Sequence, residues 1–283
     1  MHYVEAGPPD GDLIVLLHGF PEFWYSWRSQ LTALAEAGYR AVAPDLRGYN
    51  LTSKPASGYD LPTLTNDVVA LVRALGRDRT VVCGHDWGGA IAWSFGAFHP
   101  EMTRALVVMN APHPRAFQRE LRRWRQALRS WYMLFFQVPV LAELTMSFRN
   151  YRILDRMFRR ADGSLVLSPE DLQVYKDAIA RPGVLTSALN YYRQLARASA
   201  RDGLRGGLFE WPVIQAPTLL VWGTEDIALG METTYGTEEW VPDLRLGYLE
   251  GASHWVQQER PGEVNALVLD FLAELRRREG DPG

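Results

Sequence analysis

Short apolar runs alternate along this chain with stretches in which apolar residues recur at helical spacing. Leu13 to Leu17 is one such run, the mark of a strand buried on both faces. Ala41 to Pro44, Thr80 to Cys83, Ala105 to Met109, Pro217 to Trp222 and Leu244 to Leu249 repeat it, and Met1 to Gly7 reads as a strand ending in a Gly-Pro-Pro turn. Between them, Trp24 to Ala37 reads as a helix stopped by Gly38. Leu61 to Leu75 puts Leu64, Val68, Leu71 and Leu75 on one face and ends at Gly76. Trp87 to Phe98 predicts a further helix, and Pro261 to Arg278 a last one with a charged end. Strand and helix patterns in alternation predict an α/β protein, a mostly parallel sheet covered by helices.

The alternation stops after Asn110-Ala111-Pro112-His113-Pro114. From Arg115 to about Gly207 the pattern is helical, with no convincing strand, and too long for a loop. The expectation is a core built from residues 1–114 and 208–283, with residues 115–207 inserted as a helical lid.

Composition narrows the function classes. The chain has 283 residues, 47% of them hydrophobic, enough for a substantial core. Its net charge of −3 gives no overall basic excess that would point to nucleic acid or an anionic membrane. Basic clusters at Arg115 to Arg129 and Arg276 to Arg278 read as solvated helix faces. The single cysteine, Cys83, falls in an apolar strand and has no partner for an internal disulfide, which suits a reducing compartment. No charged start leads into an apolar run, and Trp131 to Leu144 is interrupted by Gln137 and Pro139. A soluble cytoplasmic protein is expected.

Reactive side chains stand after four of the expected strands. Asp86 follows the Thr80 run in Gly84-His85-Asp86-Trp87-Gly88-Gly89, where small residues let a strand and a helix meet in a sharp turn. By itself Asp86 reads equally well as a helix N-cap. His18-Gly19-Phe20-Pro21 follows Leu17. Asp226 lies in Gly223-Thr224-Glu225-Asp226, with Glu225 a competing acid, and His254 lies in Ser253-His254-Trp255. In an open parallel sheet the carboxyl ends of the strands line one crevice, so these groups converge there. Their order is nucleophile, acid, base.

The chain resembles the epoxide hydrolase branch of the α/β-hydrolase superfamily. The resemblance runs over nearly its whole length, through HGFPEFWYSWR from His18, PDLRGYN from Pro44, GHDWGG from Gly84, NAPHP from Asn110, WGTED from Trp222 and SHW from Ser253. It implies an α/β-hydrolase fold and an Asp86–Asp226–His254 triad that needs neither metal nor organic cofactor. It further implies an oxyanion hole from the backbone N–H groups of Phe20 and Trp87, and ring-opening tyrosines at Tyr132 and Tyr192. Tyr191 leaves the second tyrosine open by one position. The lid aromatics Trp131, Phe135 and Phe136 are candidates to bind an apolar epoxide, which with water would be the only substrates; equally, they only hold lid to core.

Haloalkane dehalogenase is the nearest alternative, because Trp87 can offer an indole N–H to a halide. Phe20 supplies no side-chain donor beside it, though a lid Trp could. Fluoroacetate dehalogenases typically carry Arg where this chain has Trp87. Ester or lactone hydrolysis with Asp86 as a base is a minor alternative. A ligand receptor without turnover is the alternative from another class, opposed by the complete triad. Two departures from the family pattern stand out. Met1 precedes His2-Tyr3-Val4-Glu5-Ala6-Gly7 directly, where relatives carry a further edge strand, so the strand near Tyr3 is expected to be an exposed edge and a candidate homodimer contact. Asn50 replaces a frequent Gly.

Overall fold

A computed structural model describes residues 1–160, 162–204 and 211–280 of the chain. Among them one sheet contains β1 (Tyr3–Ala6), β2 (Leu13–Leu17), β3 (Arg40–Pro44), β4 (Thr80–His85), β5 (Thr103–Met109), β6 (Thr218–Gly223) and β7 (Leu244–Leu249). The strand order is β1-β3-β2-β4-β5-β6-β7. Only β1 runs antiparallel to its neighbour. Every residue of β2, β4 and β6 is buried, as strands covered on both faces require.

Alternate strand residues feed two half-cores. On one face Val15, Val42 and Val82 pack with Leu64 and Val68 of α2 (Leu61–Ala74) and Ile91 and Phe95 of α3 (Trp87–Phe98). On the other, Ile14, Ala41 and Cys83 pack with Leu31 and Leu34 of a helix at Arg28–Glu36, α1, and with Val268 and Phe271 of the C-terminal helix at Pro261–Glu279. The helix expected from Trp24 begins as a 3-10 turn, Trp24–Trp27, and becomes α-helical at Arg28. Cys83 is fully buried, and burial pushes its thiol well above the ordinary range.

Between β5 and β6 the described chain is helical: α4 (Pro114–Leu121), α5 (Trp124–Arg129), α6 (Trp131–Phe135), α7 (Leu141–Tyr151), α8 (Leu154–Met157), α9 (Pro169–Ile179) and α10 (Val184–Leu204). One isolated β-bridge, Arg159 to Leu165, interrupts it. The expected return to the core at 207/208 lies outside the described residues. This segment is tied to loops at the carboxyl ends of the strands. Tyr191 donates to Arg47 O at 2.7 Å, the Tyr59 hydroxyl, which donates to Pro55 O, lies 2.9 Å from Ser187 Oγ, and Trp255 Nε1 donates to Met157 O at 2.8 Å.

The two departures have simple local outcomes. β1 is the outer strand, and Tyr3 on it is exposed. Asn50 adopts φ +39°, the left-handed region that a glycine would fill, and its amide donates to Asp45 Oδ2 at 2.9 Å. Asn tolerates that region better than other side chains do, so the loop keeps its shape.

Candidate active site

The sheet order reverses at β2, which has β3 on one side and β4 on the other. Crevices for ligands open at such switch points. Asp86 stands there, between β4 and α3, with φ +50° and ψ −117°. That conformation is strained for a side chain other than glycine and persists only where packing enforces it. The packing is tight: a Cβ on Gly84 would lie 2.2 Å from Gly88 O, and one on Gly19 would lie 2.4 Å from Asp86 Cβ. Asp86 makes no side-chain capping bond to α3, so the helix-cap alternative is overturned. Its Oδ1 instead accepts from Phe20 N at 2.8 Å. Among the described residues no hydrogen bond joins Trp87 N to that carboxylate.

His254 follows β7 and places Nε2 3.8 Å from Asp86 Oδ2 and Nδ1 2.7 Å from Asp226 Oδ2. Asp226 is buried and fully partnered. Asn110 Nδ2 donates to Oδ2 at 2.8 Å, and the N–H groups of Ala228 and Leu229 donate to Oδ1, each at 2.8 Å. Burial opposes its charge, but the His254 charge and these donors outweigh burial and hold Asp226 below the ordinary carboxylate range. Burial pulls His254 down, yet the Asp226 charge and bond, joined by the Asp86 charge, carry it up to about 9.

A second buried layer lies beneath. Glu22 Oε2 accepts from Gly19 N at 3.0 Å and pairs with His85 Nδ1 at 2.8 Å. Its Oε1 accepts from Gln257 and Gln258 amides at 3.0 and 2.7 Å. His85 Nε2 lies 2.9 Å from His254 O, an acceptor only, so Nε2 carries a proton. Burial opposes the Glu22 charge, but His85 more than offsets it and keeps Glu22 below its usual range. The layer joins the Gly19 loop, the Asp86 turn and the His254 loop.

Tyr132 of α6 and Tyr192 of α10 meet edge to face, ring centroids 6.0 Å apart, near enough for the Asp86 charge to act on both. Tyr192 also packs on Phe20 at 5.5 Å, Trp87 at 5.1 Å and Phe136 at 4.9 Å. Burial, with the Asp86 charge, pushes both hydroxyls well above the ordinary tyrosine range, while the Trp87 indole acts on Tyr192 as an opposing donor. Among the described residues neither hydroxyl donates a hydrogen bond. Tyr191, by contrast, is committed to Arg47 O.

The structure thus brings together Asp86, Asp226, His254, Phe20, Trp87, Tyr132, Tyr192 and Phe136. Phe135 is half-buried against Phe136 at 6.0 Å. Trp131 departs from the expectation that it lines the site: it points outward and is 62% exposed. It precedes Tyr132 on one short helix, so the two side chains diverge by about 100°. Glu225 remains outside the triad. Its N–H donates to Ala252 O. Sequence reasoning missed Asn110, Glu22 and His85. All three stood inside recognised motifs, but a polar residue next to a reactive one carries no local mark of burial. No group of three or more His, Cys, Asp or Glu that could hold a metal occurs among the described residues.

Comparison with known proteins agrees with this architecture. The family model described as alpha/beta hydrolase fold matches residues 12–261. The AB hydrolase superfamily protein YfhM of Bacillus subtilis is 39% identical, covering 96% of this chain and 94% of its own. Epoxide hydrolase 4 of Homo sapiens is 38% identical over 98% of this chain and 77% of its own. The crystal structure of Bacillus megaterium epoxide hydrolase in complex with an inhibitor superposes with a TM-score of 0.87 at 34% identity, covering 96% of each chain.

Proposed function

This chain belongs to the epoxide hydrolase branch of the α/β-hydrolase family, and on that premise we propose that it opens an apolar epoxide through a covalent ester on Asp86. The observation that carries the reading is the Asp86 carboxylate held by the Phe20 N–H and facing a histidine partnered by Asp226, with its charge acting on two adjoining tyrosines, Tyr132 and Tyr192. A carboxylate attacks a saturated carbon without first losing a proton. Oδ2 forms the new C–O bond as the ring C–O bond breaks. Oδ1, already on Phe20 N–H, becomes the ester carbonyl oxygen.

The departing alkoxide is a poor leaving group and needs a proton as charge develops. Tyr132 and Tyr192 hold the ring oxygen, and one of them supplies that proton. The residues from α4 to α10 then serve as the lid that presents both tyrosines and excludes water. Phe20, Phe136 and Trp87 make the wall apolar, which suits an apolar epoxide.

Esterification removes the Asp86 charge that helped raise His254. The imidazolium then yields its proton to the tyrosinate, and the neutral ring deprotonates a water that attacks the ester carbonyl carbon. Phe20 N–H meets the oxyanion. As the ester C–O bond breaks, the released alkoxide, which carries the oxygen that was Oδ2, takes the remaining proton of the added water and leaves as the diol, and Asp86 is restored as a carboxylate that keeps the oxygen from water. A dehalogenase could share the first step but would have no use for two inward tyrosine hydroxyls.

The test is the His254→Gln variant. It should accumulate protein heavier by one epoxide, seen by intact mass, with the label on Asp86. One turnover of the native protein in heavy-oxygen water should label Asp86 and leave the diol unlabelled. Label appearing directly in the diol would overturn the covalent route. Full turnover by the variant would overturn the role of His254.

A further inference from the structure

We propose that the outer face of α5 to α7 docks on anionic phospholipid membranes as an interfacial, non-spanning surface. Nine of the nineteen large apolar side chains exposed among the described residues lie between Trp124 and Phe148. Trp124 and Leu128 on α5, Trp131 and Leu134 on α6, and Leu141 and Leu144 on α7 are each more than half exposed, one pair at i, i+3 or i+4 spacing on each helix. A soluble surface rarely gathers so many apolar side chains in one stretch.

Charge identifies the occupant. Between Arg115 and Arg160 eleven arginines stand against three acidic residues, in a chain whose net charge is −3. The acids are already engaged: Glu120 with Arg119 and Arg123, Glu143 with Arg193, and Asp155 with Lys176. Arg122, Arg125, Arg149 and Arg152 are exposed and form no ion pair among the described residues. Arg125 lies over the Trp124 ring at 5.5 Å and Arg149 over Phe148 at 5.2 Å, so cation and apolar surface are presented together. Arginine beside tryptophan and leucine is the composition of a helix lying in a headgroup layer. Face-to-face pairing with a second copy would set these arginines against one another. Among the described residues no helix is long and apolar enough to cross a membrane, so the contact is with the surface.

Docking would set the outer side of α6 in the layer where apolar molecules partition, with Tyr132 on the helix's other side. That consequence rests on the proposed function. The lipid contact itself does not.

The experiment is co-sedimentation and tryptophan fluorescence of the full chain with vesicles of phosphatidylcholine alone, or with about one third phosphatidylglycerol. Expected are a blue shift and binding at least about tenfold tighter to the anionic vesicles, weakened by salt. Arg122→Glu with Arg125→Glu, and separately Trp124→Ser with Leu134→Ser, should each reduce binding about tenfold or more while circular dichroism stays unchanged. Equal affinity for neutral vesicles, or variants that bind like the native chain, would overturn the proposal. So would a native chain that ignores vesicles but sediments as a dimer, with Trp124→Ser and Leu134→Ser making it monomeric. Turnover of a water-soluble epoxide, measured without vesicles, tests the functional reading separately.

Discussion

At the scale of single residues, the chemistry depends on where one proton resides. His254 is raised to about 9 from an ordinary 6.5 because two carboxylates face it, despite burial. A base that is protonated at neutral pH looks unfit for its task, but in the proposed reaction one of those carboxylates becomes an uncharged ester. In that scheme the proton then passes to the tyrosinate that gave its own to the alkoxide. Accordingly kcat/KM is expected to fall as pH rises past about 9, and His254→Gln should lack that limb in single-turnover alkylation. The stability consequence has a definite sign. A folded-state value raised above the unfolded one stabilises the fold fully below about 6.5, and that contribution is lost as pH climbs through about 9. Unfolding free energies from urea titration at pH 6 and pH 10 should differ by about 3 kcal/mol more in the native chain than in His254→Gln.

At the scale of elements, the turn between β4 and α3 governs the site. Asp86 holds a backbone conformation that costs on the order of 1–3 kcal/mol and is sustained only by close packing around it. A Cβ on Gly88 would fall 2.0 Å from Leu17 O, backbone against backbone, with no flexible side chain to yield. Gly88→Ala should therefore abolish turnover and destabilise the fold by several kcal/mol, measured by thermal unfolding. Normal activity with an unchanged melting temperature would show that β2 and α3 can separate. The strands around this turn are legible from sequence, because a strand buried on both faces is apolar over most of its length. Its neighbours are less so. Glu22 and His85 are polar residues that packing hides, and nothing within either motif distinguishes a hidden carboxylate from a solvated one.

At the scale of the whole molecule, Tyr132 and Tyr192 meet each other, and Tyr192 meets Phe20 and Trp87, because α6 and α10 are held together. Arg193, next to Tyr192, donates to Phe136 O at 3.0 Å and forks onto Glu143 at 2.9 and 3.0 Å. It joins α10 to the ends of α6 and α7. A lysine cannot make that planar fork. Arg193→Lys is expected to slow alkylation about tenfold while hydrolysis of a preformed ester changes little, resolved by pre-steady-state kinetics. Equal slowing of both steps would assign Arg193 a general structural role instead. The molecule's charge is also a whole-molecule matter. A total of −3 conceals an arginine-rich segment, and only its exposure turns that segment into a surface.

What the chain order determined alone was the succession of buried strands and helices and the motifs at their ends. These follow from periodicity and from the small residues that a sharp turn demands, both local properties. What folding alone decided was which polar and aromatic side chains face inward. Trp131 and Tyr132 are chemically similar neighbours, and one is solvent-facing while the other packs on Phe136 and Tyr192. Asp86 itself reads as a helix cap until Phe20, sixty-six residues away, takes up its carboxylate. Burial and partnership are relations between distant segments, so they exist only once those segments are packed.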